Sequence, residues 1–530
     1  MNSGYGDAGA SLTKKALKGF TVSSRSPQED IDYNNFTLRQ RSRILYMSST
    51  IATAALKRMR TNIIGGGLKL KSTINREILG MTKEQAEDWQ RKTQSEFELW
   101  AGKKQACDAA GMNNFYGMQQ LVALSYPMSG DVFALVKRYP VSRLYPYSLR
   151  LQIIEADRVR TPVNFSDGAI FKTTGKAENG NTIFDGVEID KNGAVVAYHI
   201  ANTYPYEYNM DKETQFIRVE AYGSATGLAN ILHIMDSERP DQYRGVPYLA
   251  QAIEPILQMR RYTEAEIMAA VVQSFLTAFI TTESSTSEIP FNEVGGEGVE
   301  PVSSDPNEYE MGVGTINVLK PGEGVTFSNP THPNTGFDTF MRSICEQIGA
   351  ALEIPVDLLT MRFDSSYSAS RAALQEAWKA FRMRREWICN DFCQPVYEIW
   401  LTEAVARGRV IAPGFLTDPA LRAAYLGAEW IGAPAGMLDP TKEVQAATMA
   451  IEAGLTTREA EAIKLNGSQY YANVEHLTAE NEKLKEANRG MGETSNESNI
   501  TPDVDTGNDE NAADDIDETG DETDDDSEAV

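Results

Sequence analysis

Between Ile256 and Ile280 apolar residues recur at Met259, Ile267, Val271, Phe275 and Phe279, close to the i,i+4 spacing of one helix face. Arg260, Arg261, Glu264 and Gln273 fall between them, so the segment predicts a helix with a narrow apolar stripe and a polar opposite face. Its 25 residues would span about 37 Å. A stripe that long needs a second long element against it, supplied either by this chain's own core or by a neighbouring copy. Length predicts two to four structural units, since 530 residues exceed the roughly 250–300 at which a single core stops growing.

Charge is distributed unevenly. Of 75 acidic side chains, 16 lie between Met491 and Val530, where there is no Lys or Arg; the first 490 residues therefore carry 59 acids against 50 bases, a net of −9. The composition predicts a mildly acidic folded body and a disordered acidic tail over 491–530. Such a body excludes a protein that coats itself with polyanion. Four cysteines do not make a disulfide framework; Cys389 and Cys393, at i,i+4, read as small helix residues or as half of a metal site that lacks further ligands nearby. No stretch of about 18 uncharged apolar residues and no N-terminal apolar leader is present, so no membrane partner is expected.

Residues 1–37, rich in Gly, Ser, Asn and Asp, read as a mobile arm. A basic helix follows from Leu38 to Asn62 and stops at Gly65-Gly66-Gly67. Its cations Arg39, Arg41, Arg43, Lys57, Arg58 and Arg60 are candidate contacts to DNA or to an acidic neighbour, or else a solvated helix face. Helices are expected from Thr82 to Trp100 and from Asn114 to Leu124. Between 130 and 235 the period changes to short β-rich runs parted by turns such as Lys191-Asn192-Gly193, predicting a mostly antiparallel region. Helices return from Pro247. A helix is expected over Phe337–Leu352, a break at Ile354-Pro355, and then a long helix from about Ala369 to Arg407 with a kink at Pro395. The fold class is thus α+β, mainly helical.

Catalytic constellations were sought and are lacking in the sequence. The four histidines (His199, His233, His332, His476) lie far apart, no His-Glu-x-x-His or Gly-x-Ser-x-Gly occurs, and neither Gly-Lys pair sits in a phosphate loop. No catalytic, metal-binding or cofactor-binding residue is assigned and no cofactor is expected.

Several strings, in order, carry a resemblance. They include Arg41-Ser42-Arg43, Asn62-Ile63-Ile64-Gly65, Glu155-Ala156-Asp157-Arg158, Gly186-Val187-Glu188-Ile189-Asp190 and Ala197-Tyr198-His199-Ile200. Arg239-Pro240-Asp241-Gln242-Tyr243-Arg244-Gly245-Val246-Pro247, Leu319-Lys320-Pro321-Gly322-Glu323, Tyr367-Ser368-Ala369-Ser370-Arg371-Ala372-Ala373-Leu374-Gln375-Glu376, and Trp430-Ile431-Gly432-Ala433-Pro434 leading to Leu438-Asp439-Pro440 complete the set. From about residue 38 to 470 the chain resembles the portal proteins of tailed bacteriophages, of the lambda type.

The resemblance implies a non-enzymatic ring, typically of twelve copies, at one capsid vertex. It conducts double-stranded DNA inward under the large terminase subunit and later outward. Further implied partners are the major capsid and scaffold proteins and the head-completion and neck proteins. The implied architecture is a wing (38–245), a first stem helix (246–280), a clip (281–335), a second stem helix (336–352), a tunnel loop (353–368), a long kinked wing helix (369–417) and a helical inner wing and crown (418–490). In the loop, Met361, Arg362 and Phe363 either face DNA, or pack inside with Arg362 paired to Asp364. The competing classes are a nucleic-acid-processing enzyme related to packaging and another capsid or neck protein.

Overall fold

The computed structural model describes residues 9–11, 13–20, 23–163, 171–207, 213–274, 278–282, 323–327, 336–363, 366–436 and 439–490. Most of the segment expected as the clip, and the acidic tail, lie outside them. The chain forms two units, residues 1–468 and 469–530; the described part of the second is one helix, α14 (Tyr470–Gly490).

The first unit opens on a π-helical turn, Gln28–Asp32, that runs into α1 (Tyr33–Ser48); Ser49 then breaks the helix and caps α2 (Thr50–Ile63). The arm expected to be mobile to residue 37 is thus tied down from Arg25 onward. Arg239 bonds Asp30 (2.7 Å) and donates to the Arg25 carbonyl, and the Asn35 amide donates to the Gly245 carbonyl at 2.8 Å. After strand β1 (Lys69–Ser72) come α3 (Lys83–Ala101), a short α4 (Lys104–Cys107) and α5 (Phe115–Ser129). Thr82 and Gln85 close a reciprocal cap at the start of α3, and Asn114 caps α5.

The β region is antiparallel throughout. Strands β2 (Asp131–Arg138), β3 (Leu149–Glu155) and β9 (Ile231–Met235) form a sheet in the order β3-β2-β9. Strands β4 (Thr174–Lys176), β5 (Thr182–Phe184), β6 (Val187–Ile189), β7 (Val195–Ala201) and β8 (Phe216–Glu220) follow one another in a second. The turn at 191–193 joins β6 to β7 as expected. A small core of Phe133, Ile154, Val187, Tyr198 and Ile231 lies between the sheets. At the junction Gly130 and Gly245 pass so closely that a Cβ on Gly245 would sit 1.9 Å from the Gly130 carbonyl oxygen, so neither position admits a side chain.

Helix α6 (Ile253–Ser274) and α7 (Phe337–Leu352) lie against each other, and α7 has the bounds expected. The first long helix is shorter than expected: it ends at Ser274, and Ala278–Thr282 is strand β10, paired antiparallel with β11 (Glu323–Phe327). Ile280, Thr281 and Thr282 are β-branched, a residue type whose restricted χ1 favours the pleated chain, and Ile280 stands opposite Val325 in the ladder.

The short α8 (Val356–Thr360) leads to α9 (Tyr367–Ile388), capped by Ser366. The expected kink is a π-turn at Cys389–Cys393 before α10 (Gln394–Ala406). Pro395 lacks an N–H and its ring crowds the carbonyl four residues back, and one wider turn relieves both. Helix α11 (Pro419–Tyr425), strand β12 (Ala428–Ile431), α12 (Pro440–Glu452) and α13 (Arg458–Asn466) complete the unit. Strand β12 pairs with β1, Lys69 opposite Ile431. The main core is aromatic: Phe97 on α3 meets Trp400 edge-on at 5.0 Å and Phe115 at 5.7 Å.

Candidate nucleic-acid-facing site

Pro355 fixes the start of α8, and Met361 ends it in the left-handed conformation (φ 59°), where the Arg362 N–H donates to the Asp357 carbonyl. A non-glycine residue there costs on the order of 1–2 kcal/mol. The result is a turn that stands out from the helices. Met361 is 52 % exposed and Phe363 49 %, and Arg362 reaches Asp338 on α7 at 2.8 Å. Within one subunit Met361 and Phe363 are thus only about half covered. Arg362 and Asp338 form an exposed pair worth about 0–1 kcal/mol; the expected partner Asp364 lies outside the described residues.

Beside this turn is a cleft of about 740 Å³ between α9, α12 and α13. Leu358, Phe363, Leu374 and Trp378 give it an apolar floor; Arg371, Lys379 and Arg382 from α9, Lys442 from α12 and Lys464 from α13 give it five cations against one acid, Glu443. Lys442 is paired with Asp439 and Lys464 with Glu461 along their own helices. Arg371 and Arg382 make no ion pair among the described residues and lie about 16 Å apart along the helix. Arg385 holds α9 in place by donating to the carbonyls of Ile63 (2.7 Å), Asn62 and Ala433. Chemically the cleft suits a polyanion held loosely by exposed charge. Sequence reasoning missed these five cations. The i,i+11 repeat of Arg371 and Arg382 was present in the sequence, but Lys442 and Lys464 join them only through the packing of α12 and α13.

The cations of the basic helix divide. Arg39 is 1 % exposed: it pairs with Asp157 at 3.3 Å and with Asp185, so it is an interior residue and no surface contact. Arg43 is largely covered and pairs with Glu155 (3.2 Å) and Asp157. Arg41 and Lys57 are exposed, while Arg58 and Arg60 are half-buried. Arg39 belongs to a buried ionic knot centred on Arg244, which lies 2.6 Å from Asp131 and 2.9 Å from Asp185 and donates to the carbonyls of Val159 and Ala156. His233 meets Asp131 at 3.3 Å. Burial opposes ionisation of Asp131, but Arg244 and His233 outweigh it and hold that carboxyl far below its usual range. Asp32, at the edge of the knot, is pushed up to about 7 by burial and then by Asp185.

The expected apolar stripe is also split. Met259 is buried, its sulfur 3.9 Å from that of Cys345 on α7, whereas Ile267 and Val271 are 58 % and 43 % exposed. Eight and twelve residues at 100° each carry them about 80° and 120° round the helix from Met259. Phe275 lies outside the described residues, and Phe279 is in β10. Cys393 is buried and accepts from the Gln119 amide at 3.5 Å, and among the described residues no group of three or more His, Cys, Asp or Glu is placed to hold a metal. No helix among them is long and apolar enough to cross a membrane.

A helical hairpin sealed on one side and apolar on the other, beside a protruding turn and a cationic cleft, defines a structural assembly subunit. A family model described as phage portal protein, lambda family, matches residues 13–385, and the chain belongs to that family. It is 24 % identical over 465 residues to portal protein B of Escherichia phage lambda, covering 84 % of each chain. It is 23 % identical over 472 residues to the portal protein of Escherichia phage N15, covering 86 % of this chain and 85 % of that one. Among solved structures, a chain of the neck of the native GTA particle computed with C12 symmetry superposes with a TM-score of 0.43 and 12 % identity, over 82 % of this chain and 94 % of that one. Family membership brings the role: a ring-forming virion protein that serves DNA packaging.

Proposed function

We propose that copies of this chain, twelve by the family's habit, close around a pore at one capsid vertex and pass double-stranded DNA in and later out. The observation that carries this reading is the α6–α7 hairpin. Its inner seam is filled by Ile256, Met259, Ile344 and Ile348, and Tyr262 stacks on Phe337 at 5.6 Å. Its outer side leaves Leu257, Ile267, Met268, Val271 and Phe340 exposed. A lone subunit gains nothing by presenting that row to water, and a ring covers it in every copy at once.

In this reading α6 and α7 are the stem helices, and Met361, Arg362 and Phe363 meet DNA at the narrowest point. A body of net −9 repels the duplex weakly, so passage is not stalled by counterion-releasing grip. The large terminase subunit drives DNA inward, the major capsid and scaffold proteins hold the ring in the shell, and head-completion and neck proteins dock afterward. Assembly takes place in the host cytoplasm, the protein is not an enzyme and needs no cofactor. Negative-stain images of the purified chain test it: closed rings with a central hole are expected, and a chain that stays monomeric at every concentration and salt overturns it.

A further inference from the structure

A ring with rotational symmetry needs two different, complementary surfaces on each subunit, because every copy must offer to one neighbour what it accepts from the other. Resting on the ring reading above, we infer that the cleft between α7 and α9 is the accepting surface and that Leu257 with Arg261 of an adjacent copy's α6 is what enters it.

The accepting side is a cleft of about 610 Å³ where the end of α7, the Ile354-Pro355 break and the first half of α9 meet. Small and apolar residues line its floor, among them Gly349, Ala350, Ile354, Ala377 and Met383. None of its lining residues comes from α6, so the chain's own hairpin partner does not fill it. Its rim carries Glu346, Glu353 and Glu376, each paired within the subunit, to Arg342, Arg384 and Lys379, yet each more than half exposed and so open to a further cation.

The entering side has the matching chemistry. Leu257 is 39 % exposed, although Ile256 beside it is fully buried. Arg261, one turn on and on the same face, is exposed and makes no ion pair among the described residues. One apolar side chain followed by one cation fits an apolar floor with a carboxylate rim. The height also agrees. Within one subunit Met259 of α6 lies beside Cys345 of α7, so Leu257 and Arg261 stand level with the α7 turn that forms the cleft. Rotation about an axis along the hairpin brings the two surfaces together without a shift along it.

The test uses two full-length variants, each spoiling one surface at exposed positions. Leu257→Asp/Arg261→Glu removes the entering pair; Ala350→Trp/Glu376→Arg fills the cleft and reverses its rim. Unchanged circular dichroism and thermal transition establish that each is folded, and mass is read by light scattering and sedimentation at the concentration where the unaltered chain closes rings. Each variant alone is expected to stay monomeric. Mixed one to one, they retain a single good contact between them, and the mixture is expected to stop at twice the monomer mass. Oxidation of a Leu257→Cys/Ala350→Cys double variant is expected to give a covalent ladder up to the full ring. Rings formed by either spoiled variant alone, closed rings or no heterodimer from the mixture, or no ladder overturn the assignment. An unaltered chain that never closes a ring overturns instead the reading on which it rests.

Discussion

Two arginine-rich regions of this protein do opposite things with the same side chain. In the knot beneath the β region, Arg39 and Arg244 are almost wholly buried, and carboxylates from distant parts of the chain surround them. In the cleft beside the Met361 turn, Arg371 and Arg382 line open space with no paired acid among the described residues. The first arrangement orders the backbone, since Arg244 also satisfies the carbonyls of Ala156 and Val159. The second leaves charge free to act on something outside the chain. A basic run in a sequence is therefore no guide to a basic surface until the acids that fold against it are known.

The sharpest way to break this contrast is at Arg244. Arg244→Met leaves Asp131 buried with only His233 and Asp185 with only Arg39, and breaking a buried pair from one side costs about 3–5 kcal/mol. A urea midpoint at neutral pH that moves by less than about 1 kcal/mol would show that the knot is not structural.

A smaller effect is expected with pH. Asp32 has a folded pKa raised from 3.8 to about 7, so its folded form keeps a proton that the unfolded form has lost. Its contribution to stability is complete below about pH 4 and disappears as the pH rises through 7. Asp131 runs the other way, its carboxyl being depressed: its contribution is present above pH 4 and is lost in acid. Asp32→Asn should flatten the decline between pH 4 and 7 and leave the acid limb intact. Unfolding curves with the same slope in both proteins would remove Asp32 from the knot.

The cleft should respond least in stability and most in binding. Arg371→Ala with Arg382→Ala, or Met361→Ala with Phe363→Ala, is expected to change unfolding free energy by no more than about 0.5 kcal/mol each. On assembled rings, each arginine that touches phosphate should lower the slope of log duplex affinity against log salt by about 0.9. Fluorescence anisotropy with a short duplex reads this, and an identical slope in the arginine variant excludes the cleft from DNA contact.

What could be seen beforehand was local. The starts of α3 at Thr82 and of α5 at Asn114, the turn at 191–193 and both ends of α7 follow from neighbours within a few residues. The burial of Arg39 was out of reach because its acids lie 118 and 146 residues away. The cationic cleft was hidden for the same reason, being shared by three helices. The stripe on α6 failed more subtly. Spacings of eight and twelve residues sum to a drift of the face, so Met259 turns inward while Ile267 and Val271 turn out. The end of α6 was overridden by a ladder whose other strand is more than forty residues on.

The ribbon formed by β1 and β12 bears on how the polypeptide emerges from the ribosome. Residues 69–72 wait for 428–431 before their ladder can form, and Phe97 waits for Tyr397, Trp400 and Trp430. At roughly 5–20 residues per second, the early helices spend on the order of half a minute without their final cover. A nascent subunit thus completes its main core only when about four-fifths of it has been made, long after α6 and α7 have been translated.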